Sequence, residues 1–292
     1  MAASIDVTCF TDPGCPWAYS ENPALAVLRW RYGDQLRWRL VMIGLMEDPQ
    51  GYVDRGYTPV RAAQGQISFR ERFGMPFAAV PRARVLATSR ACRAVIATRR
   101  VAPGRELAAL RALQFGWFNS TLLLDEDGDI ARALGHVAGL DADAVVAAID
   151  HPDVLAAYEA EKAETRTAEG GPTHFQGKAR QTDGPVRFSA PSLIFSSGER
   201  SIEAGGFQPV EAYDLAIANL DTSLRREAPP ESPLPVLQSF PDGLATQEVA
   251  AVMAANNAVP DRAAAEAALI ELVGAGSARR IPLGNDALWL AS

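Results

Sequence analysis

A strand-like run, Ile5 to Phe10, leads through Thr11-Asp12-Pro13-Gly14 into Cys15-Pro16-Trp17-Ala18 and a helix-like segment reaching about Tyr32. No other stretch restricts the fold as strongly. Ile5, Val7 and Cys9 alternate with Asp6 and Thr8, and Leu36, Trp38, Leu40 and Met42 alternate with Arg37, Arg39 and Val41, the period of two that marks strands. Two strands joined by a helix are expected to pair in parallel, because that connection is long enough to cross over. Pro23 inside the helical segment predicts a kink there, since it removes one hydrogen bond and crowds the preceding turn.

Cys15 falls where the helix begins, and Pro16 suits the first helical position, where a missing N–H costs nothing. Unpaired N–H groups and the helix dipole favour an anion at such a place. The expectation is therefore a thiol whose pKa falls from about 8.5 toward roughly 3.5–7.5, and the thiolate is the nucleophile. Cys15 is the candidate catalytic residue.

Asp12-Pro13-Gly14-Cys15-Pro16-Trp17 between a strand and a helix resembles the DsbA-like branch of the thioredoxin superfamily. That branch includes the FrnE-like dithiol oxidoreductases, the 2-hydroxychromene-2-carboxylate isomerases and the kappa-class glutathione transferases. The resemblance covers about residues 4–226 and is specific in the Cys15 motif and in the closing strand near 191–195. It implies an α/β thioredoxin fold with a long helical insertion. It also implies a cis-proline opening the third strand and facing the cysteine, a position held here by Ala190-Pro191-Ser192. Pro16, Trp17, Ala190, Pro191 and Ser192 are thus the expected substrate-binding residues, with the Ala190 backbone free to pair with an extended substrate. One departure matters: dithiol members carry Cys-x-x-Cys, and Ala18 stands at the second position. A mixed disulfide at Cys15 would then be resolved by a small thiol from solution. No bound cofactor is expected; a low-molecular-weight thiol is the co-substrate, and a small thiol or disulfide is the partner. Two alternatives stay open. One is a thiol-dependent isomerase or transferase in which Cys15 stabilises a cofactor thiolate, and the other is a non-catalytic, redox-responsive binding protein.

The closing half of the fold is read from Pro191-Ser192-Leu193-Ile194-Phe195 as a buried strand, a turn at Ser196–Glu199, a return strand Arg200–Ala204 and a helix from about Pro209 to Arg225. Between the halves, helical spacing of Ala, Leu and Val predicts an insertion over about 58–168, with helices at 82–99, 105–119, 127–138, 142–148 and 153–168. The irregular segment 170–184 reads as a loop that covers substrate. Ala228-Pro229-Pro230-Glu231-Ser232-Pro233-Leu234-Pro235 reads as a linker separating domain 1–227 from a module over 236–292. That module has a winged-helix-like pattern: helices near 246–255 and 260–273, then a wing around Gly284-Asn285.

The wing and helix raise the question of DNA, and the residues argue against nucleic acid. From Val236 onward the acids Asp242, Glu248, Asp261, Glu266, Glu271 and Asp286 outnumber Arg262, Arg279 and Arg280. A phosphate-binding surface needs clustered cations instead. A contact role is expected, against the thioredoxin domain or a second subunit in a homodimer. The whole chain of 292 residues carries a formal charge of −7. Its 28 cations include only Lys162 and Lys178 as lysines, and the arginine excess reads as coding bias without chemistry. Cys9, Cys15 and Cys92 form no disulfide framework, and no signal-like or membrane-length apolar run is present, so the cytoplasm is the expected address. Cys9 and Cys92 read as core thiols, with a Cys9–Cys15 resolving pair as the lesser option. His136 and His151 read as helix-surface or cap residues, His174 as a loop residue with an option on the site. The three histidines show no metal-ligand spacing.

Overall fold

The computed structural model describes residues 4–182 and 184–292. Alternation at the start of the chain gives β1 (Ile5–Thr11), and α1 (Pro16–Ser20), α2 (Asn22–Tyr32) and β2 (Leu36–Met42) follow. The kink expected near Pro23 is a break at Glu21, with Pro23 in the first turn of α2. β1 and β2 pair in parallel, Ile5 with Leu36 through Thr11 with Met42. The insertion holds α3 (Gln50–Val53), α4 (Pro59–Phe73), α5 (Ser89–Val101), α6 (Glu106–Asn119), α7 (Asp127–Leu134), α8 (Ala142–Ala148) and α9 (Pro152–Thr165), with α10 (Pro172–Phe175) after it. Then come β3 (Ser192–Ser197), β4 (Arg200–Gly205) and α11 (Val210–Leu220), the closing half. The sheet order is β2-β1-β3-β4, with β3 antiparallel to both neighbours. Phe10 pairs with Ser192, so the loop carrying Cys15 and the residues that precede β3 leave the sheet at the same end.

α5 begins at Ser89, not near Arg82. Residues 82–87 are held as a loop because Arg82 Nε donates to Leu122 O and Arg84 is ion-paired with Asp125 and Glu126. Behind them Ala91, Cys92, Ala94 and Val95 of α5 enter the main core with Leu28, Leu113, Phe77 and Phe195.

The carboxy-terminal elements are α12 (Pro233–Ser239), β5 (Leu244–Ala245), α13 (Thr246–Met253), α14 (Arg262–Gly274), β6 (Ala278–Leu283) and β7 (Asp286–Ala291), with sheet order β5-β7-β6. The last three residues of the expected linker, Pro233 to Pro235, are the first turn of α12, where proline is tolerated because that N–H has no helical partner. The core of this module contains Val236, Leu237, Val249, Leu269 and Trp289, and it takes in Ala26 and Val27 of α2. Leu25, Leu28 and Tyr32 of the same helix lie in the main core, so α2 is shared by two cores and buried on both sides. Polar bonds reinforce the docking. Arg111 on α6 is ion-paired with Glu248 and donates to Gly243 O (3.0 Å); Arg105 pairs with Asp242 (2.8 Å); Phe77 N donates to Asn285 Oδ1 (2.9 Å). Asn285 lies in the β6–β7 turn, so the tip of the expected wing is spent on the domain surface.

Candidate active site

Cys15 lies between the end of β1 and the start of α1, and its Sγ donates to Ala190 O at 3.3 Å. The Ala190–Pro191 peptide is cis. The thiol is only 5% exposed and is packed among Phe10, Ala18, Val41, Ala168, Val186, Phe188 and Ala190. Phe10 and Phe188 stack with centroids 4.5 Å apart. The backbone N–H groups of Ala18 and Trp17 favour the thiolate, as the helix-start position predicts, though Cys15 makes no side-chain capping hydrogen bond. Their effect is outweighed: burial comes first and pushes the Cys15 pKa up to about 12, helped by the nearby charge of Asp12, with only Arg187 and the two amides acting the other way. The expected lowering is therefore corrected. Two amides cannot replace the water that packing has removed.

Cys15 forms part of the wall of a cleft of about 1020 Å³. Pro16, Trp17 and Ala190 line it with Cys15, while Pro191 and Ser192 do not. Ser192 is fully buried, donating its hydroxyl to Ser189 O (2.7 Å) and accepting from Gly206 N (2.9 Å), so its side chain is committed to the strand entry. Trp17 is 39% exposed and meets the rings of Phe69, Phe73 and Phe207 edge-on, with the Arg72 guanidinium 5.7 Å from its centroid. Ala18 is 3% exposed and outside the cleft lining, so the usual place of a second sulfur faces protein.

The lining of the cleft is strongly cationic. Arg61, Arg72, Arg82, Arg84, Lys178, Arg180 and Arg187 line it, and among the described residues no Asp or Glu does. Arg84 is neutralised by Asp125 and Glu126, and Arg187 donates to Phe188 O and Thr182 Oγ1. Arg82 sits over Trp117 at 5.4 Å; burial lowers its pKa to about 10, and its Nη2 has no hydrogen-bond partner among the described residues. Six of the arginines read as coding bias thus line the candidate site.

No family model matches this sequence, and no curated protein matches it. Solved structures do. A candidate protein disulfide isomerase from Nitrosomonas europaea superposes with a TM-score of 0.56 at 16% identity, covering 74% of this chain and 97% of that one. A DsbA-type oxidoreductase candidate from Streptomyces coelicolor gives 0.53 at 17% identity, covering 75% and 91%. The cytosolic disulfide reductase DsbM from Pseudomonas aeruginosa gives 0.50 at 18% identity, covering 74% and 97%. The fold is that of the DsbA-like thioredoxin proteins.

Within this DsbA-like fold, the sequence reading missed Asp12. Its carboxyl is fully buried and accepts from Gly14 N (2.8 Å), Leu45 N (2.9 Å), Thr88 Oγ1 (3.0 Å) and Cys92 Sγ (3.3 Å), and burial raises its pKa. It ties the Cys15 loop to the segment after β2, to the loop before α5 and to α5 itself. Cys9 and Cys92 are buried, and all three cysteines are free. His174 accepts from Gly170 N (3.0 Å) outside the cleft, and His151 caps α9 by accepting from Asp153 N (3.2 Å). The segment expected to cover substrate is part short helix, part an Arg180–Arg187 bridge, and Lys178, Arg180 and Thr182 of it border the cleft; Asp183 lies outside the described residues. Among the described residues no group of three or more His, Cys, Asp or Glu side chains could hold a metal ion, and no helix is long and apolar enough to cross a membrane.

Proposed function

We propose that the chain is a monothiol thiol–disulfide oxidoreductase acting through Cys15, with a low-molecular-weight thiol as co-substrate. The observation that carries this is the position of Cys15 Sγ, 3.3 Å from Ala190 O in the wall of a large cleft. In the forward step the Cys15 thiolate attacks one sulfur of a disulfide; a Cys15 mixed disulfide forms, the second sulfur leaves as thiolate and takes up a proton. A thiolate from solution then attacks the mixed disulfide and releases Cys15. The S–H bond to Ala190 O and the raised pKa favour the protonated resting form. A thiolate this unstable is a poor leaving group, which makes the site reducing in character. Similarity in fold to the cytosolic disulfide reductase DsbM, which has also been solved with GSH, supports that direction. The winged-helix-like order of the carboxy-terminal module serves here as a brace on α2 and α6, and the cytoplasm is the compartment where such a thiol would stay reduced.

The test is exchange of hydroxyethyl disulfide against a small thiol, compared with Cys15→Ser. Wild-type exchange that rises with pH and vanishes in the variant supports the proposal; equal rates overturn it. One observation favours the isomerase or transferase alternative: a neutral S–H is itself a donor and could steady a bound thiolate. In that case Cys15→Ser would retain activity, because serine keeps the donor.

A further inference from the structure

We propose that the disulfide taken by this cleft is a polyanion, bearing several phosphate or carboxylate groups away from the reacting sulfur. This deepens, and rests on, the assignment of Cys15 as nucleophile. The chain carries a formal charge of −7, yet among the described residues the lining of its Cys15 cleft contains seven cations and no carboxylate. Five of them, Arg61, Arg72, Arg82, Lys178 and Arg180, make no ion pair among the described residues. They come from α4, from the loop before α5 and from the segment after α10, so three separate parts of the chain place unpaired cations in one cavity. Like charges so gathered repel one another, and among the described residues no carboxylate forms an ion pair with these five. Guanidinium groups match carboxylate and phosphate by paired hydrogen bonds, and a low-dielectric cleft focuses their field on an entering anion. The volume, about 1020 Å³, is at the upper end of the roughly 300–1,000 Å³ typical of small-molecule sites. It leaves room for charged groups beyond the sulfur. Aromatic rings stand among the cations: Trp17 beneath Arg72, and Tyr52 and Tyr57 edge to face at 5.0 Å.

The chemistry balances as written above, with the polyanionic disulfide as electrophile and a low-molecular-weight thiol completing the exchange. The experiment measures formation of the Cys15 mixed disulfide with four compounds: coenzyme A disulfide (phosphates), oxidised glutathione (carboxylates), hydroxyethyl disulfide (neutral) and cystamine (cationic). The expected result is a rate at least about tenfold higher for one or both anions than for the neutral compound, with cystamine slowest and the preference shrinking as salt is added. The faster anion identifies phosphate or carboxylate as the recognised group. In Arg61→Glu/Arg180→Glu, checked for an unchanged circular dichroism spectrum, the anion-to-neutral rate ratio falls about tenfold. Equal rates for all four compounds, or a ratio unmoved by the double variant, overturn the inference while leaving Cys15 chemistry intact. Binding of the two anions to Cys15→Ser, followed by quenching of tryptophan fluorescence, separates the two claims. Saturable binding there, with no adduct on the wild type, keeps the polyanion site and removes the nucleophile; absence of binding to that variant overturns the inference.

Discussion

Replacing Glu248 by leucine is expected to undo the attachment of the carboxy-terminal module. The Arg111 side chain is 9% exposed and that of Glu248 0%, and the two are joined by two parallel N–H···O bonds. Glu248 Oε2 also accepts from Ala245 N at 2.7 Å, holding the first turn of α13. Removing one partner of a buried pair strands the other charge at a cost of about 3–5 kcal/mol. Losing the bond to Ala245 N adds about 1 kcal/mol. The double variant Arg111→Met/Glu248→Leu removes both charges, so most of that cost should disappear, leaving about 1–3 kcal/mol for the unmet Ala245 N and Gly243 O. Urea unfolding followed by circular dichroism measures the whole chain. Trp289, fully buried in the module with its Nε1 bonded to Thr246 Oγ1, is one of five tryptophans, and its own signal, taken as the difference from the same protein carrying Trp289→Phe, is a local fluorescence probe. In Glu248→Leu the tryptophan transition should precede loss of helix. A single-variant cost below about 1 kcal/mol, or a double variant whose cost is the sum of the two singles, would refute the pairing as the anchor of the module.

Glu21 is fully buried, and burial raises its pKa from 4.5 to about 8, against the weaker opposing pull of Tyr213 and the Gln208 backbone. A raised folded-state pKa gives stability that is complete below the unfolded value and lost as pH rises through the folded one. Glu21→Gln should therefore overtake the wild type by a few kcal/mol between pH 4.5 and 8, as measured by thermal midpoints across that range; parallel pH profiles would contradict this. A Cβ at Gly14 would lie 2.6 Å from Thr88 Cγ2 and 2.9 Å from Trp117 Cζ2, so Gly14→Ala should cost about 1–3 kcal/mol in urea and slow exchange at the adjoining Cys15. With Cys9 and Cys15 both pushed to about 12 and Cys92 raised further, thiolate absorbance in the ultraviolet should stay flat from neutral pH to about pH 10; a step near 8.5 that Cys15→Ser removes would show burial to be weaker than the helix start.

Periodicity carried most of the architecture. Alternation in Ile5–Phe10 and Leu36–Met42 marked the parallel pair, and the apolar run at 191–195 marked β3, because these strands pack a core on a fixed repeat. Where short-range signals compete with tertiary bonds the reading slipped. Arg82–Ala87 has helical composition but is held open by Leu122 and Asp125, and the prolines at 233 and 235 sit in the first turn of α12. The candidate site was legible in its position and not in its energetics. Cys15, Pro16, Trp17 and Ala190 were reachable from one motif and one strand. The sign of the Cys15 shift depends on Val41, Ala168, Val186 and Phe188, which arrive from distant segments and which no local pattern announces. Asp12 looked like a turn residue, and its four donors come from as far away as Cys92. Arginine composition gave no hint that unpaired cations gather in one cavity, since only the fold brings α4 and residues 178–180 together.

The most direct measurement is intact-mass and peptide mass spectrometry of the protein after incubation with a small disulfide at mildly alkaline pH. A single adduct confined to Cys15, released by added thiol and absent from Cys15→Ser, is the predicted result. An unmodified Cys15, or an adduct carried equally by Cys9 and Cys92, would contradict the assignment of this sulfur as the reacting group.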